Sequence, residues 1–249
     1  MKIRFLGTAA GLPAKGRSAS STMIETHGRY YIVDAGAPIV NKLVNIDESI
    51  EDISAVFITH IHSDHLFGII DLIRCVNNPK IFTKANVSYY LPEESVIQPI
   101  KNYFSAVMAD IREDVNHFFV YGEGVVFEDE YIKVVAIPTC HLGDSGRPSY
   151  AFLIECDGKK ILFTGDLSHK LKYDDFPKIA TEIELDAIIC ESTHFEFGLV
   201  APTLKKCKTG RIFFNHRSRV NIEIIEKENK TGEFPFPMII ADDGDEFEI

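Results

Sequence analysis

The sequence has no long hydrophobic run, no closely spaced cysteine pair and fewer basic than acidic residues. No apolar stretch approaches the roughly 18 residues that a membrane-spanning helix needs, which argues against a membrane-spanning protein. The first residues, Met1 to Gly7, have the pattern of a strand and lack the apolar core of a signal peptide. Neither insertion into a membrane nor export is therefore expected.

The charge balance and the cysteines bear on partners and location. With 26 Lys and Arg against 37 Asp and Glu, the net charge is −11, whereas proteins that follow a phosphodiester backbone usually carry a basic face. This disfavours nucleic acid as a partner unless a basic site is local. The five cysteines form no CxxC pair and are odd in number, which fits reduced thiols and predicts a cytoplasmic protein.

Length and composition predict one folded α/β domain over residues 1–249. The chain is 45% hydrophobic and 25% charged, which excludes disordered, collagen-like and coiled-coil proteins. Short runs rich in Val, Ile, Phe and Tyr are bounded by turn residues, as in strands. The predicted strands are Lys2–Gly7, Ser21–Thr26, Tyr30–Asp34, Ala55–Thr59, Lys80–Thr83, Tyr131–Pro138, Tyr150–Cys156, Lys160–Thr164, Asp186–Cys190, Arg211–Asn215 and Met238–Ala241.

Turns and helices complete this prediction. The steps His27-Gly28 and Asp157-Gly158 lie between strand runs, as hairpin turns do. Residues 86–130 are the least regular part and are expected to form a helical insertion or lid, or a dimer contact. The predicted helices are Ile39–Val44, His65–Cys75, Glu94–Ile111, Phe176–Glu182 and Arg219–Lys230.

The segment Thr59–His65 carries the most chemical information. Its side chains His60, His62, Asp64 and His65 directly follow an apolar run, and α/β proteins usually place their sites after such strands. On an extended backbone, His60 and His62 point to the same side. Histidine and aspartate are ligands of zinc and similar divalent ions, so we expect a metal site here rather than a polar loop that caps a helix.

The motif His60-x-His62-x-Asp64-His65 resembles the HxHxDH signature of the metallo-β-lactamase superfamily. This resemblance implies a four-layer αββα sandwich with two metal ions and three further ligands, each after a later strand. His141, Asp166 and His216 occur at such places in the right order. Asp34 matches the supporting aspartate of that superfamily, with a simple turn aspartate as the alternative.

The resemblance also implies how the ligands divide. His60, His62 and His141 would bind one ion, Asp64, His65 and His216 the other, and Asp166 would bridge them. Two such metals lower the pKa of a bridging water, and the resulting hydroxide would attack the substrate. Zinc fits these ligands best, although Mn²⁺ or Fe would accept the same set.

The opening segment is similar to that of ribonuclease Z, the tRNA 3′-processing endonuclease. Pro13, Lys15 and Arg17 match the PxKxRN loop of that family, where Ser18 replaces asparagine. Two cations on a short loop suit a phosphodiester, so Lys15 and Arg17 are the candidate substrate-binding residues. The alternative is a solvated charged loop.

Two departures from ribonuclease Z concern the substrate and the proton donor. Only 166 − 141 = 25 positions separate His141 from Asp166, too few for the long arm with which that family grips tRNA. Its HST loop also has no match, so the candidate catalytic residues are His194 and Glu191, together with Asp64.

These observations predict a metal-dependent phosphodiesterase that acts on a small or single-stranded substrate, such as a cyclic or nucleotide-derived phosphodiester, and not on folded tRNA. Another hydrolase of the superfamily, such as a lactonase or thioesterase, is one alternative. A non-catalytic metal-binding or RNA-binding module is a second. A homodimer is left open.

Overall fold

The computed structural model describes residues 1–171 and 175–249, which form two mixed β-sheets with helices. The strands are β1 (Lys2–Gly7), β2 (Ser21–Thr26), β3 (Arg29–Val33), β4 (Ile53–Phe57), β5 (Val87–Leu91), β6 (Asn116–Val120), β7 (Gly124–Glu128), β8 (Ile132–Thr139), β9 (Ser149–Cys156), β10 (Lys159–Phe163), β11 (Ala187–Glu191), β12 (Ile212–Asn215), β13 (Met238–Ile240) and β14 (Glu246–Glu248). The α-helices are α1 (Ile39–Asn45), α2 (Ser63–Leu66), α3 (Gly68–Val76), α4 (Ile97–Ala106), α5 (Ile179–Glu182), α6 (Phe197–Leu204) and α7 (Arg219–Asn229).

The chain divides into two compact units. Unit 1 consists of residues 1–7, 11–121 and 243–248, and unit 2 consists of residues 8–10, 122–242 and 249. The expected single domain over residues 1–249 stays a prediction. Within the part of the chain that the structure describes, no helix is long and apolar enough to cross a membrane.

Unit 1 contains the sheet β14-β1-β2-β3-β4-β5-β6. The β2–β3 hairpin turns at His27-Gly28 with φ values of +49° and +72°, which are the left-handed values of a type I′ turn, as predicted. Strands β3 to β6 are parallel to one another. Helix α3 packs against this sheet with a buried stripe at helical spacing, formed by Ile69, Leu72, Ile73 and Val76.

Unit 2 contains the sheet β13-β12-β11-β10-β9-β8-β7. Strands β7 to β10 run antiparallel, and their β9–β10 hairpin turns at Asp157-Gly158 with φ values of +52° and +75°. Strands β10 to β13 are parallel. Every residue of the central strand β11 is buried, as is typical of a parallel strand that is covered on both faces. Helices α5, α6 and α7 contribute to its core.

Two predictions of secondary structure are wrong. Lys80–Thr83 is a turn rather than a strand, because the carbonyl of Asn78 accepts the N–H groups of Ile81 and Phe82 and curls the chain. Residues 86–130 are not a helical insertion or lid, since they supply β5, α4, β6 and β7. The alternation in β5, where Val87, Tyr89 and Leu91 are buried, places that strand within the sheet.

Candidate metal-binding site

In unit 1, the candidate ligands follow the carboxyl ends of two parallel neighbours, β3 and β4. Asp34 directly follows β3, is buried, and has a φ of +59°. Its Oδ1 accepts hydrogen bonds from Thr59 N at 2.8 Å and from Thr59 Oγ1 at 2.9 Å. Its Oδ2 lies 2.7 Å from His65 Nδ1. Asp34 therefore joins the end of β3 to both ends of the segment that bears the histidines, which supports the role predicted for it.

The other side chains of that segment face one another. His60 Nε2 lies 3.0 Å from His62 Nδ1, and His60 Nδ1 lies 3.1 Å from Thr59 Oγ1. Asp64 Oδ2 lies 3.5 Å from His65 Nε2. Nδ1 of His60 and Nδ1 of His65 each face an oxygen atom. These contacts orient the two rings and leave Nε2 of each as the nitrogen for a metal, which is how histidine ligands of metals are oriented.

Close backbone packing places Asp64. A Cβ added to Gly36 would lie 2.4 Å from the Asp64 carbonyl oxygen and 2.5 Å from the Ala19 carbonyl carbon. Only glycine allows the chain after β3 to approach the ligand segment this closely.

The loop of residues 11–18 contacts the same ligand. Gly11 N–H donates to Asp64 Oδ2 at 2.9 Å. Ala14 and Arg17 exchange two backbone hydrogen bonds, of 3.0 and 2.9 Å, around Gly16 at a φ of +78°. Lys15 is exposed at the tip of this small turn. Lys15 and Arg17, the predicted phosphate-binding residues, therefore lie on a loop that is hydrogen-bonded to the predicted metal ligand Asp64.

In unit 2, the remaining candidates follow β8, β10, β11 and β12 on one edge of the sheet. Asp166 is nearly fully buried, and its Oδ2 is close to a nitrogen of each of three histidines. The distances are 3.7 Å to His141 Nε2, 3.5 Å to His216 Nε2 and 3.6 Å to His194 Nδ1. Asp166, Glu191, His194 and His216 each offer a ligand atom within 4.8 Å of the others.

These separations fit a divalent ion. Ligands at about 2.0–2.1 Å from a tetrahedral zinc are separated from one another by about 3.4 Å, close to the distances around Asp166 Oδ2. The His141 ring also donates from Nδ1 to the Leu167 carbonyl at 3.0 Å. That hydrogen bond fixes the tautomer and leaves Nε2 directed at Asp166, as for a histidine that binds a metal. The donor set of His and Asp is typical of zinc and similar ions.

Glu191 organises the turn that carries His194. Its carboxylate is buried and accepts the N–H groups of Leu167 at 3.0 Å, Thr193 at 2.7 Å and His194 at 2.9 Å. Its Oε2 also lies 3.2 Å from His194 Nδ1. Glu191 therefore fixes the His194 ring and links it to the loop of Asp166.

The His216 backbone is held in the left-handed region, with a φ of +45°. Its carbonyl accepts hydrogen bonds from Thr193 Oγ1 at 2.5 Å and from Ser192 N at 3.3 Å. Asn221 of α7 holds the same turn by donating to the carbonyls of Ser192 at 2.8 Å and Phe195 at 2.6 Å. A non-glycine residue in this region persists only where its surroundings enforce it.

Two supporting residues had no signal in the sequence. Asn221 lies inside α7, and Asp175 lies four residues before α5. Both act through backbone groups distant in sequence, so no local spacing indicates them. In unit 1, the structure brings His60 next to His62 and Asp64 next to His65, and Lys15 and Arg17 lie on the loop that contacts Asp64. In unit 2, it brings together His141, Asp166, Glu191, His194 and His216.

The fold is shared with solved structures of low sequence identity. Human tRNase Z, short form, has a TM-score of 0.76 at 22% identity, with 100% of this chain and 99% of that chain covered. The metallo-β-lactamase fold protein YhfI from Bacillus subtilis has a TM-score of 0.79 at 19% identity, with the same coverage. The α/β class and the metallo-β-lactamase fold are therefore confirmed.

Sequence relatives agree with the predicted resemblance. Ribonuclease Z from Anoxybacillus flavithermus is 30% identical over 157 residues, which are 62% of this chain and 48% of that protein. Ribonuclease Z from Pseudomonas putida strain GB-1 is 48% identical over 71 residues, 28% of this chain and 22% of that protein. The chain spans about half the length, or less, of these curated relatives.

A family model described as Anti-Pycsar protein Apyc1 matches residues 1–205, which include β1 to β11 and every candidate site residue except His216. The chain belongs to the Anti-Pycsar protein Apyc1 family.

Proposed function

We propose that the protein is a metal-dependent phosphodiesterase that acts on a small or single-stranded phosphodiester, including cyclic and nucleotide-derived ones. The observation that carries this proposal is the position of Asp166 Oδ2, which lies 3.7 Å from His141 Nε2 and 3.5 Å from His216 Nε2. That spacing suits a carboxylate that shares a metal ion with each of these two histidines. The similarity to ribonuclease Z supports a phosphodiester as the substrate class.

The proposal includes two metal ions. His60, His62 and His141 would hold one ion, Asp64, His65 and His216 would hold the other, and Asp166 would be shared. Zinc is the expected metal, with Mn²⁺ and Fe as alternatives. When bound, a pair of divalent ions supplies Lewis acidity, which lowers the pKa of a water between them so that hydroxide is available at neutral pH.

The proposed proton donor is His194. Its Nδ1 lies 3.2 Å from Glu191 Oε2, so the carboxylate holds a proton on Nδ1 and balances the charge of the protonated ring. Nε2 then carries the proton that passes to the leaving oxygen. Glu191 acts through His194, whereas Asp64 combines ligand binding with the hydrogen bond to Gly11 N–H.

Lys15 and Arg17 are proposed to bind the phosphate. Their turn is attached to Asp64 through Gly11, so it adjoins a proposed metal ligand. The 25 positions from His141 to Asp166 contain β9, a short turn and the whole of β10. This length and the net charge of −11 favour a compact substrate over folded tRNA. A cytoplasmic location and a homodimer stay predictions.

Hydrolysis of bis(p-nitrophenyl) phosphate by the zinc-loaded protein tests the proposal. We expect turnover by the wild type, and loss of turnover together with zinc in Asp64→Ala, whose metal content is measured in parallel. The matched control is Asp71→Ala, an exposed aspartate of α3, which should behave as wild type. No turnover by a wild type with two bound ions would overturn the phosphodiesterase, and lactones and thioesters would then be assayed.

The cations distinguish the phosphodiesterase from the other hydrolases. The double variant Lys15→Ala/Arg17→Ala should raise KM for the phosphodiester and retain bound zinc. Unchanged kinetics would contradict phosphate binding by this loop and favour a lactonase or thioesterase. Bound zinc without hydrolysis of any ester would favour a non-catalytic module.

A further inference from the structure

Asp175 bridges the two loops that carry ligands in unit 2. Its carboxylate is buried, with 8% of the residue exposed. Oδ1 accepts the Cys140 N–H at 2.8 Å and Oδ2 accepts the Ser168 N–H at 2.6 Å. Cys140 immediately precedes His141, and Ser168 is two residues after Asp166. One carboxylate therefore fixes the loop after β8 relative to the loop after β10.

Other hydrogen bonds between the two loops lie close to the predicted ligands, and one of them, from Thr139 Oγ1 to the Asp166 carbonyl, is long at 3.5 Å. His141 Nδ1 donates to the Leu167 carbonyl at 3.0 Å, so the ring of His141 depends on where the loop of Asp166 lies. If the loops shifted relative to each other, this bond and the 3.7 Å separation of His141 Nε2 from Asp166 Oδ2 would change together. Asp175 restrains that shift through two short, charge-assisted hydrogen bonds.

The location is unfavourable for a carboxylate without these partners. Burial raises the pKa of Asp175, and the N–H groups of Ser168 and Cys140 counteract this by stabilising the ionised form. An aspartate that served only to solubilise a turn would not be buried between two backbone donors.

We infer that Asp175 is a positioning residue, which holds His141 and Asp166 at the separation that a shared metal ion requires. This inference rests on the proposed function for the identity of the ligands. Asp175 acts through the backbone of each loop, because its two carboxylate oxygens accept the N–H groups of Cys140 and Ser168.

The test compares Asp175→Asn with the matched control Asp186→Asn. Asparagine can accept only through Oδ1, so its amide group faces one of the two N–H donors. Asp186 is a comparable carboxylate that lies directly before β11 and bonds the start of β10, where it accepts Lys160 N–H at 2.9 Å and Lys159 Nζ at 3.0 Å. Asp175→Ser, which leaves room for a water, is the second variant if Asp175→Asn does not fold.

Zinc affinity is measured by competition with a chromophoric chelator, and the cobalt-loaded proteins are compared by visible absorption. We expect Asp175→Asn to bind zinc about 10- to 100-fold more weakly, the range for lost supports of metal ligands, with an altered cobalt spectrum. Asp186→Asn should lower Tm and leave affinity and spectrum unchanged. In the metal-free proteins, the amides of Cys140 and Ser168 should exchange faster in Asp175→Asn alone.

The outcomes separate this inference from the proposed function. If wild type binds zinc and Asp175→Asn matches it in affinity and spectrum, the positioning role is overturned while the metal site stands. If both variants weaken zinc equally, the effect is general destabilisation and the inference is also overturned. If wild type binds no zinc, the proposed function itself fails.

Discussion

Replacing Gly36 by alanine should damage the metal site of unit 1 through the backbone. The new Cβ would lie 2.4 Å from the Asp64 carbonyl oxygen, 2.5 Å from the Ala19 carbonyl carbon and 2.7 Å from Ala19 Cβ. Ordinary van der Waals contact begins at 3.4 Å, so the shortest contact requires a shift of 3.4 − 2.4 = 1.0 Å. Two of the three atoms belong to backbone, which cannot rotate away as a side chain can.

The expected cost follows from that displacement. Overpacking of a closed site typically costs about 1–3 kcal/mol, and three contacts of this kind place Gly36→Ala near the upper end. For a chain of this size, about 3 kcal/mol corresponds to a fall in Tm of about 6–12 °C. A shift of about 1 Å at a reacting group can also reduce activity by about 100-fold. Asp64 is the proposed ligand that would move, so zinc affinity should fall as well.

Thermal unfolding and zinc competition measure both effects. Gly198→Ala is the control, because a Cβ at Gly198 meets nothing within 4 Å and the residue lies inside α6. Alanine is favoured over glycine in a helix by about 0.5–1 kcal/mol, so this variant should melt slightly higher and bind zinc normally. A Gly36→Ala protein with the Tm and zinc affinity of wild type would refute the reasoning.

Three other predictions follow from buried and charged groups. Asp34→Asn should weaken zinc binding about 10- to 100-fold, because the variant loses the carboxylate that orients the proposed ligand His65. A zinc affinity equal to that of wild type, measured by competition with a chelator, would contradict this prediction. Burial raises the pKa of Glu48, but the Tyr30 hydroxyl and an arginine outweigh it and hold that pKa below the ordinary value. The stability that the ionised Glu48 contributes is present above about pH 4.5 and is lost as pH falls through the depressed pKa. Glu48→Gln should therefore lower Tm at pH 7 more than at pH 3. An equal fall in Tm at both pH values would contradict this prediction. Burial raises the pKa of Cys207 to about 12. A thiol reagent at pH 8 should therefore label the exposed Cys140 well before Cys207, as measured by peptide mass spectrometry. Equal labelling rates for the two cysteines would contradict the burial of Cys207.

Contiguous motifs made much of the site predictable. The segment from His60 to His65 follows a buried strand, and strand alternation and the end of that strand determine where its side chains point. His141, Asp166 and His216 could be predicted as ligands because each follows a strand, where the resemblance to the superfamily implies a ligand. The two predicted hairpins also formed, because His27-Gly28 and Asp157-Gly158 both adopt the positive φ values that such turns require.

Other features depend on contacts that no local pattern encodes. Asp175 is 35 positions from Cys140, and Asn221 is 29 positions from Ser192. Strands β5 and β6 were missed because short runs of mixed polarity gain their stability from neighbours in the sheet rather than from intrinsic preference. Residues 80–83 have the composition of a strand, but Ile81 is exposed and the segment forms a turn.

The central claim is the proposal that the predicted His and Asp ligands hold two ions and that these ions enable hydrolysis of a phosphodiester. The most direct measurement is the rate of bis(p-nitrophenyl) phosphate hydrolysis as zinc is added stepwise to the metal-free protein. The account predicts a rate that rises with zinc and levels off at two equivalents per chain. A protein that binds two equivalents of zinc and shows no hydrolysis, or one whose rate does not depend on zinc, would contradict it.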